Sequence, residues 1–114
     1  MIIIGGKNMN QRTEEPMVFV FPKECGAVEI AEIRAHIVTQ LDLHHPVKVI
    51  FDLRQCQFID SSAIGFILGR YKQLDTWNGT LLLYGVNAGV SKVLRLSGLF
   101  HIMKIIEREE HEDA

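Results

Sequence analysis

The run Val47-Lys48-Val49-Ile50-Phe51-Asp52-Leu53 constrains the fold most. It is apolar almost throughout, which suits a strand buried on both faces. A short loop separates it from a strong helical pattern. Asp60 or Ser61 is placed to cap that helix, because either side-chain oxygen can accept a hydrogen bond from a free amide of the first turn. Ile64, Ile67, Leu68, Tyr71 and Leu74 then recur at helical spacing and predict its buried stripe. Counting four on from Ser61 reaches Gly65 and then Gly69, so a bare stripe runs down the helix below the hydroxyl. Glycine weakens a helix interior, so two on one stripe ask for a reason. Close packing against a sheet supplies one, and close approach by a partner supplies another.

Around this unit the chain alternates strand and helix. Ile2-Ile3-Ile4 predicts a short edge strand ended by Gly5-Gly6, and the polar stretch from Lys7 to Pro16 predicts an exposed loop. Met17-Val18-Phe19-Val20-Phe21 is a strand closed by Pro22. Ile30, Ile33, Ile37 and Leu41 predict an amphipathic helix from Ala27 to Leu41. His44-His45-Pro46 ends it, since the residue before proline is pushed out of the helical region. After the turn signal Asn78-Gly79 comes the strand Thr80-Leu81-Leu82-Leu83-Tyr84-Gly85. Asn87 is placed to cap a helix turning Val90, Val93 and Leu94 inward, and Ser97-Gly98 stops it, with Gly98 suited to a left-handed end. Phe100 to Ile106 predicts a final strand, and the chain turns acidic from Glu107. This order argues an α/β domain with a mixed sheet.

A chain of 114 residues is one domain, long enough for a core but too short for two. Its net charge of −2 gives no electrostatic case for nucleic acid. No apolar run approaches a membrane span, and Met1-Ile2-Ile3-Ile4-Gly5-Gly6 is too short to read as a signal peptide. Cys25 and Cys56 lie far apart without CxxC spacing, so neither zinc nor a redox pair is indicated, and a reduced cytoplasmic setting fits. The adjacent His44 and His45 have no evident third ligand, and read as a solvated turn rather than a metal site.

Asp60-Ser61-Ser62 admits three readings. The pair can simply cap a helix. Ser61 can be a nucleophile, which requires a base and an oxyanion donor pair. No Gly-x-Ser-x-Gly elbow is present, and His36, His44, His45, His101 and His111 stand in no triad context. Nor is there a phosphate-binding loop, since Gly65 and Gly69 sit inside the helix rather than before it. Thirdly, Ser61 can be the substrate of another protein's kinase. A helix N-terminus accommodates phosphate, because free amides and the helix dipole favour negative charge there.

The run Phe58-Ile59-Asp60-Ser61-Ser62-Ala63-Ile64-Gly65-Phe66-Ile67-Leu68-Gly69-Arg70-Tyr71-Lys72-Gln73 closely resembles the anti-sigma factor antagonists, small STAS-domain proteins of bacterial sporulation and stress control. A second family stretch lies in Val90-Ser91-Lys92-Val93-Leu94-Arg95-Leu96-Ser97-Gly98-Leu99-Phe100. The resemblance implies a single STAS-like α/β domain at 17–106, a mixed β-sheet of four to five strands with helices packed mainly on one side. An N-terminal edge strand and exposed loop precede it at 1–16, and an acidic C-terminal tail or helix stub follows at 107–114.

By the same resemblance, Ser61 is the serine phosphorylated by an anti-sigma factor that doubles as a serine kinase. Unphosphorylated, such a protein binds that kinase and frees a sigma factor, and a separate serine phosphatase restores binding. Asp60 then positions Ser61, Ser62 supports the helix start, and Gly65 and Gly69 allow close approach. Phe66 and Glu24 complete the implied partner-binding set. The family's Gly-x-Leu-Asp segment, whose aspartate lies near the partner's nucleotide, corresponds here to Lys23-Glu24-Cys25-Gly26. Gly26 stands at the aspartate's place, and Glu24 is the carboxylate available to substitute. That departure and the short end keep a second reading open, a STAS-like scaffold that binds a partner without being phosphorylated. In either case the chain is implied to be a cytoplasmic protein-binding regulator rather than an enzyme, a monomer or weak homodimer with no cofactor of its own.

Overall fold

A computed structural model describes residues 15–109; the edge strand expected at Ile2-Ile3-Ile4 lies outside the described residues. In chain order the elements are β1 (Met17–Val20), β2 (Glu24–Cys25), α1 (Ala27–His44), β3 (Lys48–Asp52), β4 (Phe58–Ile59), α2 (Ser61–Asp75), β5 (Thr80–Val86), α3 (Ala88–Leu96) and β6 (Lys104–Glu107). β1, β3, β5 and β6 form a four-stranded sheet in the order β1-β3-β5-β6. Every pairing among the described residues is parallel, where a mixed sheet was expected. The connections explain this, since each passes through a helix, as parallel neighbours require.

Alternation along the strands decides which face is covered. Met17, Val49 and Leu81 share one register row, Phe19, Phe51 and Leu83 another, and all six are buried. Helices α1 and α2 lie on this face: the Phe19 ring meets His36 edge-on at 6.1 Å, and the Phe51 ring stacks on Phe66 at 6.2 Å. The opposite face holds Val18, Ile50 and Leu82 half-buried, Val20 and Tyr84 exposed, and Asp52 buried between them. Burial of β3 on both faces, expected from its apolar run, is therefore replaced by helices on one side.

Several element ends differ from expectation. Helix α1 runs on to His44, and His45 ends it in a left-handed conformation with φ 45°. Its N–H donates to the Leu41 carbonyl at 2.9 Å, and its ring stacks on Trp77 at 4.1 Å. Beyond α3, Gly98 takes φ 85° as expected, but Leu99–His101 form a 3-10 turn and β6 begins only at Lys104. Apolar residues that suggested strand there do other work: Met103 is buried, and Phe100 lies under the Arg95 guanidinium at 4.2 Å.

The feature that positions the site is the second, two-stranded ladder. β2 and β4 pair in parallel beyond the C-terminal ends of β1 and β3, with Glu24 opposite Phe58 and Cys25 opposite Ile59. Each strand leads straight into a helix. The ladder therefore sets the N-termini of α1 and α2 side by side at the carboxyl end of the sheet, where open α/β folds carry their sites.

Candidate docking site at the start of helix α2

Asp60 settles which residue caps α2. Its backbone is extended, with φ −123° and ψ −174°. Oδ1 accepts hydrogen bonds from the amides of Ser62 at 2.9 Å and Ala63 at 3.2 Å. Two of the free donors of the first turn are thereby satisfied. The Asp60 amide donates to the Cys25 carbonyl at 3.4 Å, tying the cap to β2. Ser61 is the first helical residue, is exposed, and its hydroxyl meets no hydrogen-bond partner among the described residues. Ser62 is half-buried.

Below Ser61 the helix is open. A Cβ built on Gly65 or on Gly69 would have no neighbouring atom within 4 Å. Packing of these glycines against the sheet is thus ruled out as their reason. The sheet is met instead by Ala63, Phe66, Ile67 and Leu74, all buried. Of the expected stripe Ile64, Ile67, Leu68, Tyr71 and Leu74, Ile67 and Leu74 are buried as expected, and Ile64, Leu68 and Tyr71 lie at the half-buried margin.

Phe66 requires a correction. Expected among the partner-binding residues, it is only 2% exposed. Its ring packs with those of Phe21 and Phe51, and the guanidinium groups of Arg34 and Arg70 lie 5.3 and 4.8 Å from its centroid. The ring is a core residue, unavailable to a partner in this conformation. Sequence reading passed over Phe58 instead, which is 53% exposed on β4 and lies against Gly26. Its strand is only two residues long, too short to show an alternation in the sequence.

Gly26 caps α1 through its backbone, and its N–H donates to Glu29 Oε1 at 3.0 Å. A Cβ on Gly26 would stand 3.2 Å from Asp60 Oδ2. Glu24 is exposed two residues earlier, opposite Phe58. The position lacking the aspartate therefore adjoins the serine helix, while Glu24 stands one ladder rung away.

Beneath the two caps lie both cysteines of the chain. Cys25 and Cys56 are free, buried thiols with their Sγ atoms 3.2 Å apart, so the pairing of β2 with β4 brings together two residues that lie far apart in the sequence. Asn87 braces the same region: its Oδ1 accepts from Val90 N at 2.8 Å to cap α3, and its Nδ2 donates to the Cys56 carbonyl at 3.2 Å. His44 and His45 do not gather ligands, and among the described residues no three His, Cys, Asp or Glu side chains converge as a metal site would need. No helix among them is long and apolar enough to cross a membrane.

Comparison with known proteins places this geometry. The STAS domain pattern matches residues 8–112. An anti-sigma F factor antagonist from Paenibacillus polymyxa is 43% identical over 61 residues, which cover 54% of this chain and 52% of that relative. The match thus spans about half of that relative's length. A second anti-sigma F factor antagonist, from Lysinibacillus sphaericus, is 30% identical over 87 residues, covering 76% of this chain and 74% of its own. Among solved structures, the anti-sigma factor antagonist SpoIIAA in its unphosphorylated form superposes with a TM-score of 0.72 at 29% identity, covering 89% of this chain and 84% of that one. Phosphorylated SpoIIAA, described as a Bacillus cell fate determinant, gives 0.65 at 28% identity over 89% of this chain and 87% of its own. The capped serine helix, the parallel sheet and these matches together establish that the chain belongs to the STAS domain family.

Proposed function

We propose that this protein is a phosphorylation-switched antagonist of an anti-sigma factor. Unphosphorylated, it binds an anti-sigma factor that is also a serine kinase, and a sigma factor is released. Phosphorylation of Ser61 ends the binding and a serine phosphatase restores it. The chain works in the cytoplasm by binding rather than catalysis, as a monomer or weak homodimer, and the nucleotide belongs to the kinase.

The observation that carries this reading is the exposed Ser61 at the first turn of α2, above an open glycine stripe. A phosphate there is tolerated by the fold, since the helix N-terminus favours negative charge. It adds about two negative charges to the docking surface beside Asp60, which repels a partner seated on the stripe. Glu24, Ser62 and the exposed Phe58 border the same surface. SpoIIAA, which shares the fold, is known in both unphosphorylated and phosphorylated forms.

Incubation with the cognate kinase and ATP, followed by intact mass and peptide mapping, tests the assignment. One phosphate on Ser61 is the expected result; phosphate on Ser62 alone, or none with an active kinase, overturns it. A second reading rests on Gly26. Without a carboxylate at that position the domain binds its partner as a scaffold and is not phosphorylated.

A further inference from the structure

The two cysteines occupy a position that the docking function leaves unused. Cys25 ends β2, one residue before the α1 cap, and Cys56 precedes β4, four residues before the α2 cap. Both side chains are buried, at 0% and 1% exposure, and the Sγ atoms are 3.2 Å apart. Cys56 Sγ also lies 3.2 Å from the Phe58 carbonyl oxygen, and Cys25 Sγ lies 3.4 Å from that of Pro22. The two sulfurs are thus in direct contact, and each thiol also has a backbone carbonyl to donate to. Closing the pair to a bond of about 2 Å asks for roughly an ångström of side-chain movement.

We infer that Cys25 and Cys56 form a reversible disulfide, made by a hydroperoxide, that staples β2 to the turn entering β4 beneath the Gly26–Asp60 platform. The first step is attack of the Cys56 thiolate on a peroxide oxygen. An S–O bond forms, the O–O bond breaks, and hydroxide leaves with the proton released by the thiol, as water. The Cys25 thiol then attacks the sulfenic sulfur. The S–S bond forms, the S–O bond breaks, and the departing hydroxide takes the Cys25 proton as a second water. The cysteine pair loses two electrons to the peroxide, and an external dithiol returns them by exchange.

The pair is asymmetric in the sense this order needs. The hydrogen bond with Cys25 holds Cys56 below the usual thiol range, while the same contact and burial push Cys25 up. Thiolate character decides which sulfur reacts first. Burial restricts the reaction to a small oxidant, or to moments when the two-residue ladder opens.

The test treats the purified full chain with hydrogen peroxide, unfolds it and alkylates the remaining thiols. The expected product has lost two hydrogens, takes up no alkylating reagent, and yields a non-reducing peptide joining Cys25 to Cys56. Dithiothreitol restores both thiols. The oxidised form is expected to unfold at a higher temperature than the reduced one. Cys25→Ser is expected to trap Cys56 as a sulfenic acid that reacts with dimedone, whereas Cys56→Ser leaves Cys25 unlabelled. If either variant fails to fold, the peptide map of the unaltered chain still decides. Full alkylation after peroxide, oxygen gained without a crosslink, or a disulfide only between two molecules overturns the inference. None of these outcomes depends on whether Ser61 is phosphorylated.

Discussion

Gly26 and Asp60 cap neighbouring helices so closely that a Cβ on Gly26 would lie 3.2 Å from Asp60 Oδ2. The pairing follows from the two-rung β2–β4 ladder, which delivers both chains to their first helical turns at the same level. It also says what an aspartate at position 26 would do. Gly26→Asp places a further carboxylate between those of Asp60 and Glu29, whose oxygens stand 3.2 and 3.3 Å from the added Cβ, and the like charges at this buried position are expected to destabilise the domain at neutral pH. Gly26→Asn, equal in shape, should cost less, and the gap between the variants should close at low pH. Urea melts at two pH values check this. Phosphorylation by the cognate kinase should be faster with Gly26→Asp than with Gly26→Asn if a carboxylate there serves the partner's nucleotide.

Asp60 carries the start of α2. Asp60→Ala removes the acceptor of the Ser62 and Ala63 amides, and about 0.5–2 kcal/mol of stability should go with it. Asp60→Asn keeps an oxygen in place and should retain most of that stability in the same melts. A loss of phosphorylation in Asp60→Asn without a loss of stability would separate positioning of Ser61 from capping.

Ser61 should respond to charge rather than to size. Ser61→Asp is expected to fold normally, and even to gain about 0.3–1 kcal/mol, because a carboxylate suits the first turn of a helix. Its affinity for the anti-sigma partner should nevertheless fall, through repulsion at the contact. Ser61→Ala should bind and resist inactivation by kinase and ATP. Titrations giving equal affinities for the two variants would place Ser61 outside the interface.

Much of this site was legible in the sequence, and the remainder was hidden for identifiable reasons. Asp60, Asn87 and Gly98 act through local backbone chemistry, so capping and left-handed preferences found them. Phe66 entered through the family resemblance, and its burial escaped the helical pattern because the stripe through Ile64, Ile67, Leu68, Tyr71 and Leu74 was centred to one side of an inward face that also takes in Ala63 and Phe66. Helical periodicity gives a face only to within about one position when both flanks are apolar. Cys25 and Cys56 are 31 residues apart and meet only through strands of two residues, too short to leave any periodic signal. β6 starts late because Leu99–His101 form a 3-10 turn, with the amides of Ile102 and Met103 donating back to the Leu99 carbonyl, a turn that apolar strand propensity does not report.

Asp52 gives the fold an acid-sensitive contact away from the serine. Its carboxylate accepts from Arg54 Nε at 3.0 and 3.2 Å, from Nη2 at 2.8 Å and from the Arg54 amide at 3.0 Å. The Arg54 side-chain hydrogen bonds hold its carboxyl below the usual carboxylate range, against the opposing effect of burial. Its ionised form is therefore favoured by folding. That contribution is fully present above the unfolded-chain value near pH 4 and is lost as pH falls through the lower folded value. Asp52→Asn should flatten this part of the acid limb. Stability measured from pH 6 down to pH 2 should show the two proteins converging as the wild-type carboxyl protonates; parallel curves would show that the contact is not coupled to folding.

The glycine stripe offers the sharpest test of docking, because its structural explanation has been removed. Gly65 and Gly69 follow Ser61 at intervals of four, on the side of α2 turned away from Ala63, Ile67 and Leu74. Neither has an atom within 4 Å of where a Cβ would stand, so alanine meets no clash. With space available, only helix propensity acts on the free protein, and each alanine should stabilise it by about 0.5–1 kcal/mol. A partner seated on the bare stripe meets two added methyl groups, one and two turns below the hydroxyl. Gly65→Ala and Gly69→Ala should therefore raise the denaturation midpoint while lowering affinity for the anti-sigma factor. Gly65, nearer Ser61, should lower it more. The opposite signs matter, since a variant damaged in its fold loses stability and binding together. Denaturant melts paired with binding titrations separate the cases, and gains in stability with unchanged affinity would place the docking surface elsewhere on the domain.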